Sequence, residues 1–95
     1  MAAIVRIYSN NLSELSSFLS SFFENSISSL TNEIYWEKKY SNPVEIADII
    51  AAFIDNNDKY SSCNMWVSID KDTFINISHH NYNFFIKYLY ERYPY

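Results

Sequence analysis

Cys63-Asn64-Met65-Trp66-Val67-Ser68-Ile69-Asp70-Lys71-Asp72-Thr73-Phe74-Ile75-Asn76-Ile77 is the stretch that decides the fold. Two runs of alternating residues flank an Asp-Lys-Asp turn, and a side-chain period of two marks a β-hairpin. With residues 70–72 as the loop, Ile69 faces Thr73, Val67 faces Ile75 and Met65 faces Ile77. One face is then apolar, and the other carries Asn64, Trp66, Ser68, Phe74 and Asn76. A two-residue loop would pair Val67 with Asn76 and mix the faces, so register selects three.

Downstream, Ser78 is placed to cap a helix that runs to about Tyr93 and ends at Pro94. Tyr82, Phe85, Ile86, Leu89 and Tyr93 make its buried face, leaving Tyr88, Tyr90 and Tyr95 for the surface or a second contact. Upstream, Asp55 to Ser62 is a polar loop. Before it, Asn42-Pro43-Val44-Glu45 starts a helix with a cap, a proline at the first position and an acid at the third. That helix, 43–55, is apolar almost all round, with a narrow stripe of Glu45, Asp48, Ala52 and Asp55, so burial on two sides is expected. Residues 33–40 alternate, with Ile34, Trp36, Lys38 and Tyr40 on one side and charges that suit an edge strand.

Asn11 and Glu14 form a capping-box-like pair ahead of Leu12, Leu15, Phe18, Leu19, Phe22 and Phe23, which recur at helical spacing. The other face, Ser13, Ser16, Ser17, Ser20 and Ser21, reads as solvated; Ile27 and Leu30 extend the helix or belong to a loop. Residues 3–8 are β-branched and apolar, as in a strand buried on both faces. Arg6 is the exception, its head expected to reach a sheet edge or a carboxylate.

The resulting order, β-α-β-α-β-β-α, predicts one α/β (or α+β) domain over residues 1–95, two- or three-layered, with three helices on a four-stranded mixed sheet. Right-handed crossovers favour a parallel first pair beside the antiparallel hairpin, with helices over both faces. The element order resembles that of thioredoxin-like domains. Their Cys pair at the first helix is replaced here by Ser9-Asn10-Asn11-Leu12, and their proline before the third strand by Cys63-Asn64-Met65. The resemblance is topological and implies no redox chemistry. A ferredoxin-like arrangement is the competitor.

Composition narrows the function. Hydrophobic residues make up 48% and charged ones 19%, as in globular chains. Net charge is −4 with seven scattered basic residues, which argues against nucleic-acid binding. No apolar run approaches the length of a membrane span, and Arg6 interrupts an N-terminus that lacks a basic start, so a cytoplasmic protein is expected. The chain has no glycine. Positive-φ positions therefore fall to Asn and Asp in the loops.

No catalytic constellation emerges. His79 and His80 are adjacent, and neighbours on a helix do not share a metal as an i, i+4 pair does. Asp55-Asn56-Asn57-Asp58 begins like a calcium loop but meets Tyr60 and Trp66 where glycine and glutamate belong. Cys63 reads as a small buried apolar residue. No cofactor or metal is expected.

The aromatics, nine Tyr, seven Phe and two Trp, exceed what one small core hides. The expected interface gathers Trp66, Phe74, Ser68 and Asn76, with Trp36, Tyr35, Tyr88 and Tyr90, unless helix 43–55 covers them. The leading expectation is a non-enzymatic module for protein interaction or self-association as a homo-oligomer. An acidic inhibitor or immunity-type protein, meeting a basic partner through Glu45, Asp48, Asp55, Asp70 and Asp72, is the alternative. A small-ligand binder or enzyme around Arg6, His79 and His80 comes third.

Overall fold

A computed structural model describes residues 3–22 and 35–93. The chain runs β1 (Ala3–Ser9), α1 (Leu12–Phe22), β2 (Tyr35–Tyr40), α2 (Glu45–Asp55), β3 (Cys63–Ser68), β4 (Ile75–Ile77) and α3 (Tyr82–Arg92). The readings at Phe23, Ile27, Leu30, Ile34, Pro94 and Tyr95 lie outside the described residues, as does the side chain of Phe22.

The fold is of the α/β class with the expected element order, and it departs from the β-α-β-β-α-β order of ferredoxin-like domains. The four strands lie in the order β2-β1-β3-β4. Every pair is antiparallel, including β1 with β2, so the sheet is not mixed. The handedness rule that favoured a parallel first pair governs only parallel crossovers. The register that forms sets Ile7 beside Trp36 and Arg6 beside Glu37, apolar with apolar and cation with carboxylate. The hairpin takes the register read from sequence, with Met65 against Ile77 and Val67 against Ile75.

The three helices lie on one side of the sheet rather than both. Alternation sends Ala3, Val5 and Ile7 of β1, Trp36 of β2, and Cys63, Met65 and Val67 of β3 into one hydrophobic cluster. Buried residues of α1 (Leu15, Phe18, Leu19), α2 (Ile46, Ala47, Ile50, Phe53, Ile54) and α3 (Phe85, Leu89) join that same cluster. Phe18 ties the helical layer together, edge-on to Phe53 at 5.8 Å and to Tyr60 at 5.1 Å between ring centres. Residues on the other face include Arg6, Tyr8, Glu37, Lys39, Asn64 and Asn76, which a helix would have to desolvate. Hence β1 is fully buried on one face and partly on the other, where Ile4 is buried but Arg6 and Tyr8 are half-exposed, and no described helix covers Trp66 or Phe74.

Local chemistry explains the helix ends. Asn11 Oδ1 accepts the Glu14 backbone N–H at 3.1 Å, a true cap. The return arm of a capping box does not form: Glu14 reaches across to accept the Ser62 backbone N–H at 2.9 Å. Leu12, expected on the apolar face, is exposed because it sits at the very start of the helix. Asn42 Oδ1 accepts the Val44 N–H, and successive i to i+3 bonds from Asn42, Pro43 and Val44 lead into α2. Ser78 does not cap α3, whose N-cap is Asn81; the Ser78 Oγ accepts the His80 N–H in the turn before the helix instead.

The loop of the hairpin corrects a further expectation. Positive φ falls on Lys71 (73°), neither Asn nor Asp. The preceding Asp70 is occupied otherwise: its Oδ1 accepts the backbone N–H groups of Asp72 and Thr73, both at 2.9 Å. That clamp leaves the left-handed position to the next residue in line.

Candidate functional site: the uncovered face of the sheet

A row of side chains crosses all four strands on the open face: Glu37, Arg6, Trp66 and Asn76, paired by register. Tyr35, Tyr8 and Asn64 form the next row on one side, and Lys39, Ile4 and Ser68 the row on the other. Arg6 is the centre. Its Nε donates to Glu37 Oε1 at 2.6 Å. Its guanidinium carbon sits 4.1 Å from the centre of the Phe74 ring and 6.0 Å from that of Tyr35. The hydrogen bond to Glu37 raises the Arg6 pKa further, against a smaller opposing effect of burial. Beside it, Tyr8 and Tyr35 stack at 5.3 Å between centres. Arg6, Tyr8, Trp66 and Phe74 together line a shallow depression of about 390 Å³.

Trp66 and Phe74, two of the residues singled out in the sequence, therefore share this depression. Asn76 lies in the same row, exposed, its Nδ2 donating to the Met65 carbonyl at 3.1 Å. Ser68 is on this face but buried at 1% exposure, donating to the Asp70 carboxylate. Trp36 does not belong here. Its even position in β2 pairs it with Ile7 on the helix side, where it is 4% exposed within the core. Tyr90 is exposed on α3. Tyr88 is half-buried in a second groove of about 310 Å³ between α3 and the hairpin, which Ile69, Ile75 and Phe84 also line.

Arg6 and the histidines are not brought together. Arg6 lies mid-strand in a central strand, whereas His79 and His80 follow β4 at the sheet edge. His79 makes an edge-on contact with Tyr82 at 6.3 Å, and neither histidine lines the Arg6 depression. The acidic candidates also divide: Glu45, Asp48 and Asp55 are exposed along α2, while Asp70 and Asp72 sit in the hairpin loop. Asp70 is committed to that loop, its carboxyl held below the usual range by the Thr73 and Asp72 N–H groups. Burial pushes the Cys63 thiol up, as for a core residue. Among the described residues no group of three or more His, Cys, Asp or Glu could hold a metal ion.

No protein-family model, curated protein or solved structure matches this chain.

Two contributors escaped the sequence reading: Tyr8 in the open-face depression and Phe84 in the second groove. Tyr8 carried a signal, because Arg6 and Tyr8 are two residues apart in an otherwise apolar strand and so mark one polar-tolerant face. Phe84 carried one too: at helical spacing it falls nearly opposite the buried face of Tyr82, Phe85, Ile86 and Leu89, where it is 77% exposed. What the open face offers is a delocalised cation fixed on one side by a carboxylate and surrounded by aromatic rings. Such a surface can stack flat or apolar groups and donate hydrogen bonds from its rim.

Proposed function

We propose that the protein is a non-enzymatic interaction module that binds another protein through the uncovered face of its sheet. One observation carries the reading: three helices crowd one side, while Tyr8, Tyr35, Trp66 and Phe74 gather about Arg6 on the other. Interface centres are enriched in aromatic residues and arginine, which is the composition at the centre of this patch, with the charged Glu37 and Lys39 on the outer strand. The pre-formed Arg6–Glu37 pair and the Tyr8–Tyr35 stack lower the ordering cost that a partner must meet. A buried, unpaired cysteine suits a reducing compartment, which supports a cytoplasmic location.

Photo-crosslinking side chains placed at Asn64 and Lys39, on the rim of the face, test the reading against controls at Ser13 on α1 and Asp48 on α2. Adducts with another protein are expected from the first pair alone. Adducts concentrated at Asp48 would instead support the acidic helix stripe as the binding surface and overturn the proposal.

A further inference from the structure

The two edges of the sheet are protected in different ways, and from that difference we infer that the β4 edge is a pairing site for a second copy of this chain. The inference goes beyond the reading above and does not depend on the open face. A sheet edge presents unpaired backbone groups that invite another strand, and natural edges are guarded by charge, shortness or cover. At one edge β2 carries exposed Glu37, Lys38 and Lys39. At the other, residues 73–78 (Thr-Phe-Ile-Asn-Ile-Ser) hold no charge at all.

Besides being only three residues long, β4 is guarded by a side chain. The ladder to β3 runs from Met65–Ile77 to Val67–Ile75, so the Asn76 backbone between those pairs points away from β3. Asn81 meets it there: its Nδ2 donates to the Asn76 carbonyl at 2.8 Å, and its Oδ1 accepts the Ser78 N–H at 2.9 Å. An antiparallel neighbour would place a backbone N–H on the same Asn76 carbonyl. The Asn81 amide thus holds the acceptor that a fifth strand would use, and extended backbone is the occupant whose N–H groups fit such an edge.

Self-complementarity says whose backbone. A two-fold axis at Ile75 places Ile75 opposite Ile75 of the second copy and Phe74 opposite Asn76. By alternation Phe74 shares the outward orientation of Asn76, so four N–H···O bonds form in two symmetric pairs. No like charges meet, unlike a β2 self-pairing through Glu37 or Lys38. The same step covers Ile75, 41% exposed, and joins two copies of the groove that Phe84 lines at 77% exposure. Pairing requires each copy to release one Asn81 hydrogen bond, which keeps the isolated chain from pairing freely.

Ile75→Cys tests the geometry, since directly opposed residues in a non-hydrogen-bonded antiparallel pair sit within disulfide reach. Under mild oxidation this variant is expected to form a disulfide-linked dimer, while Ser13→Cys, equally open on α1, does not. Asn81→Ala, followed by light scattering against concentration, is expected to tighten dimerisation about thirtyfold (~2 kcal/mol at 1.4 kcal/mol per tenfold). Asn81→Asp keeps the acceptor for Ser78, loses the donor and adds a negative charge, so at high salt, where repulsion between the copies is screened, it should shift the same way if the alanine variant folds poorly. A disulfide yield from Ile75→Cys no higher than from Ser13→Cys overturns the pairing. Capture of that thiol by a different protein in cell extract assigns the edge to another chain and overturns the second copy as its occupant. Unchanged dimerisation in both Asn81 variants overturns the role given to Asn81. Crosslinks from Asn64 and Lys39 are unaffected by any of these results, so the two proposals fail separately.

Discussion

Replacing each tryptophan in turn separates the two faces of the sheet by experiment. Trp36 is 4% exposed among the helices, and Trp66 is 36% exposed on the open face. Truncating a buried aromatic removes its transfer energy and leaves a cavity, about 3–5 kcal/mol in all. Against a total of about 5–15 kcal/mol for a domain, Trp36→Ala therefore removes about a fifth or more of the stability. At Trp66 solvent fills the space left behind, and no cavity term arises. The loss is the burial of roughly 80 Å² beyond what alanine retains, ~2 kcal/mol at 25 cal/mol per Å². Urea titration followed by circular dichroism reads both, with midpoints expected to fall by roughly 3 M and 1.5 M for a slope near 1.3 kcal/mol per M. Fluorescence gives an independent reading. Trp36→Phe leaves an emission that iodide quenches readily, and Trp66→Phe leaves one that it does not. Equal quenching of the two, or a Trp66→Ala cost as large as that of Trp36→Ala, would refute a sheet that the described helices cover on one side only.

Lys71 holds φ at 73° without being glycine, so Lys71→Gly is expected to stabilise the hairpin by about 0.5–1 kcal/mol and raise the Tm by a few degrees. The Asp70 carboxyl lies below its ordinary value of 3.8 because it accepts the Thr73 and Asp72 N–H groups. A depressed carboxyl stabilises the fold above its unfolded pKa, and that contribution is lost as pH falls through the lower folded value. Amide exchange at Asp72 and Thr73 should therefore accelerate in acid below pH 3.8 beyond the intrinsic rate, and Asp70→Asn should abolish that pH-dependent excess. Cys63 is buried with its thiol pKa raised, so a disulfide reagent such as dithionitrobenzoate should modify it only as fast as the domain opens. Fast modification in the native protein would contradict its place in the core.

Much of this architecture was legible in the sequence because it rests on local chemistry. The hairpin register followed from the alternation around Asp70-Lys71-Asp72, since a one-residue slip would have turned Val67 and Met65 to the wrong face. The starts of α1 and α2 followed from Asn11 and from Asn42-Pro43. What sequence could not fix was long-range: the direction of β2 against β1, and the side on which each helix lands. Those depend on which pairs meet between remote strands, Ile7 with Trp36 and Arg6 with Glu37 among them. Trp36 shows the difficulty. Taken with Tyr35 it looked like part of an aromatic surface, yet adjacent strand residues point apart, and the register sent Trp36 to the core and Tyr35 to the open face. For the candidate site, Trp66 and Phe74 were visible through their hairpin alternation. Arg6 was visible only as an anomaly in an apolar strand.

The central position of β1 bears on how the chain reaches this state. Its partners are remote: Ile4 pairs with Lys39 on one side and with Ser68 on the other. Loop closure across such separations is slow compared with helix or hairpin formation. During synthesis β1 emerges well before β3, so Val5 and Ile7 must wait, extended and apolar, until the hairpin arrives to complete the sheet. The strand that ends up best sheltered is therefore the one longest at risk of wrong pairing. Refolding should be paced by the docking of β1 between its two neighbours, with the β3–β4 hairpin and the helices forming earlier.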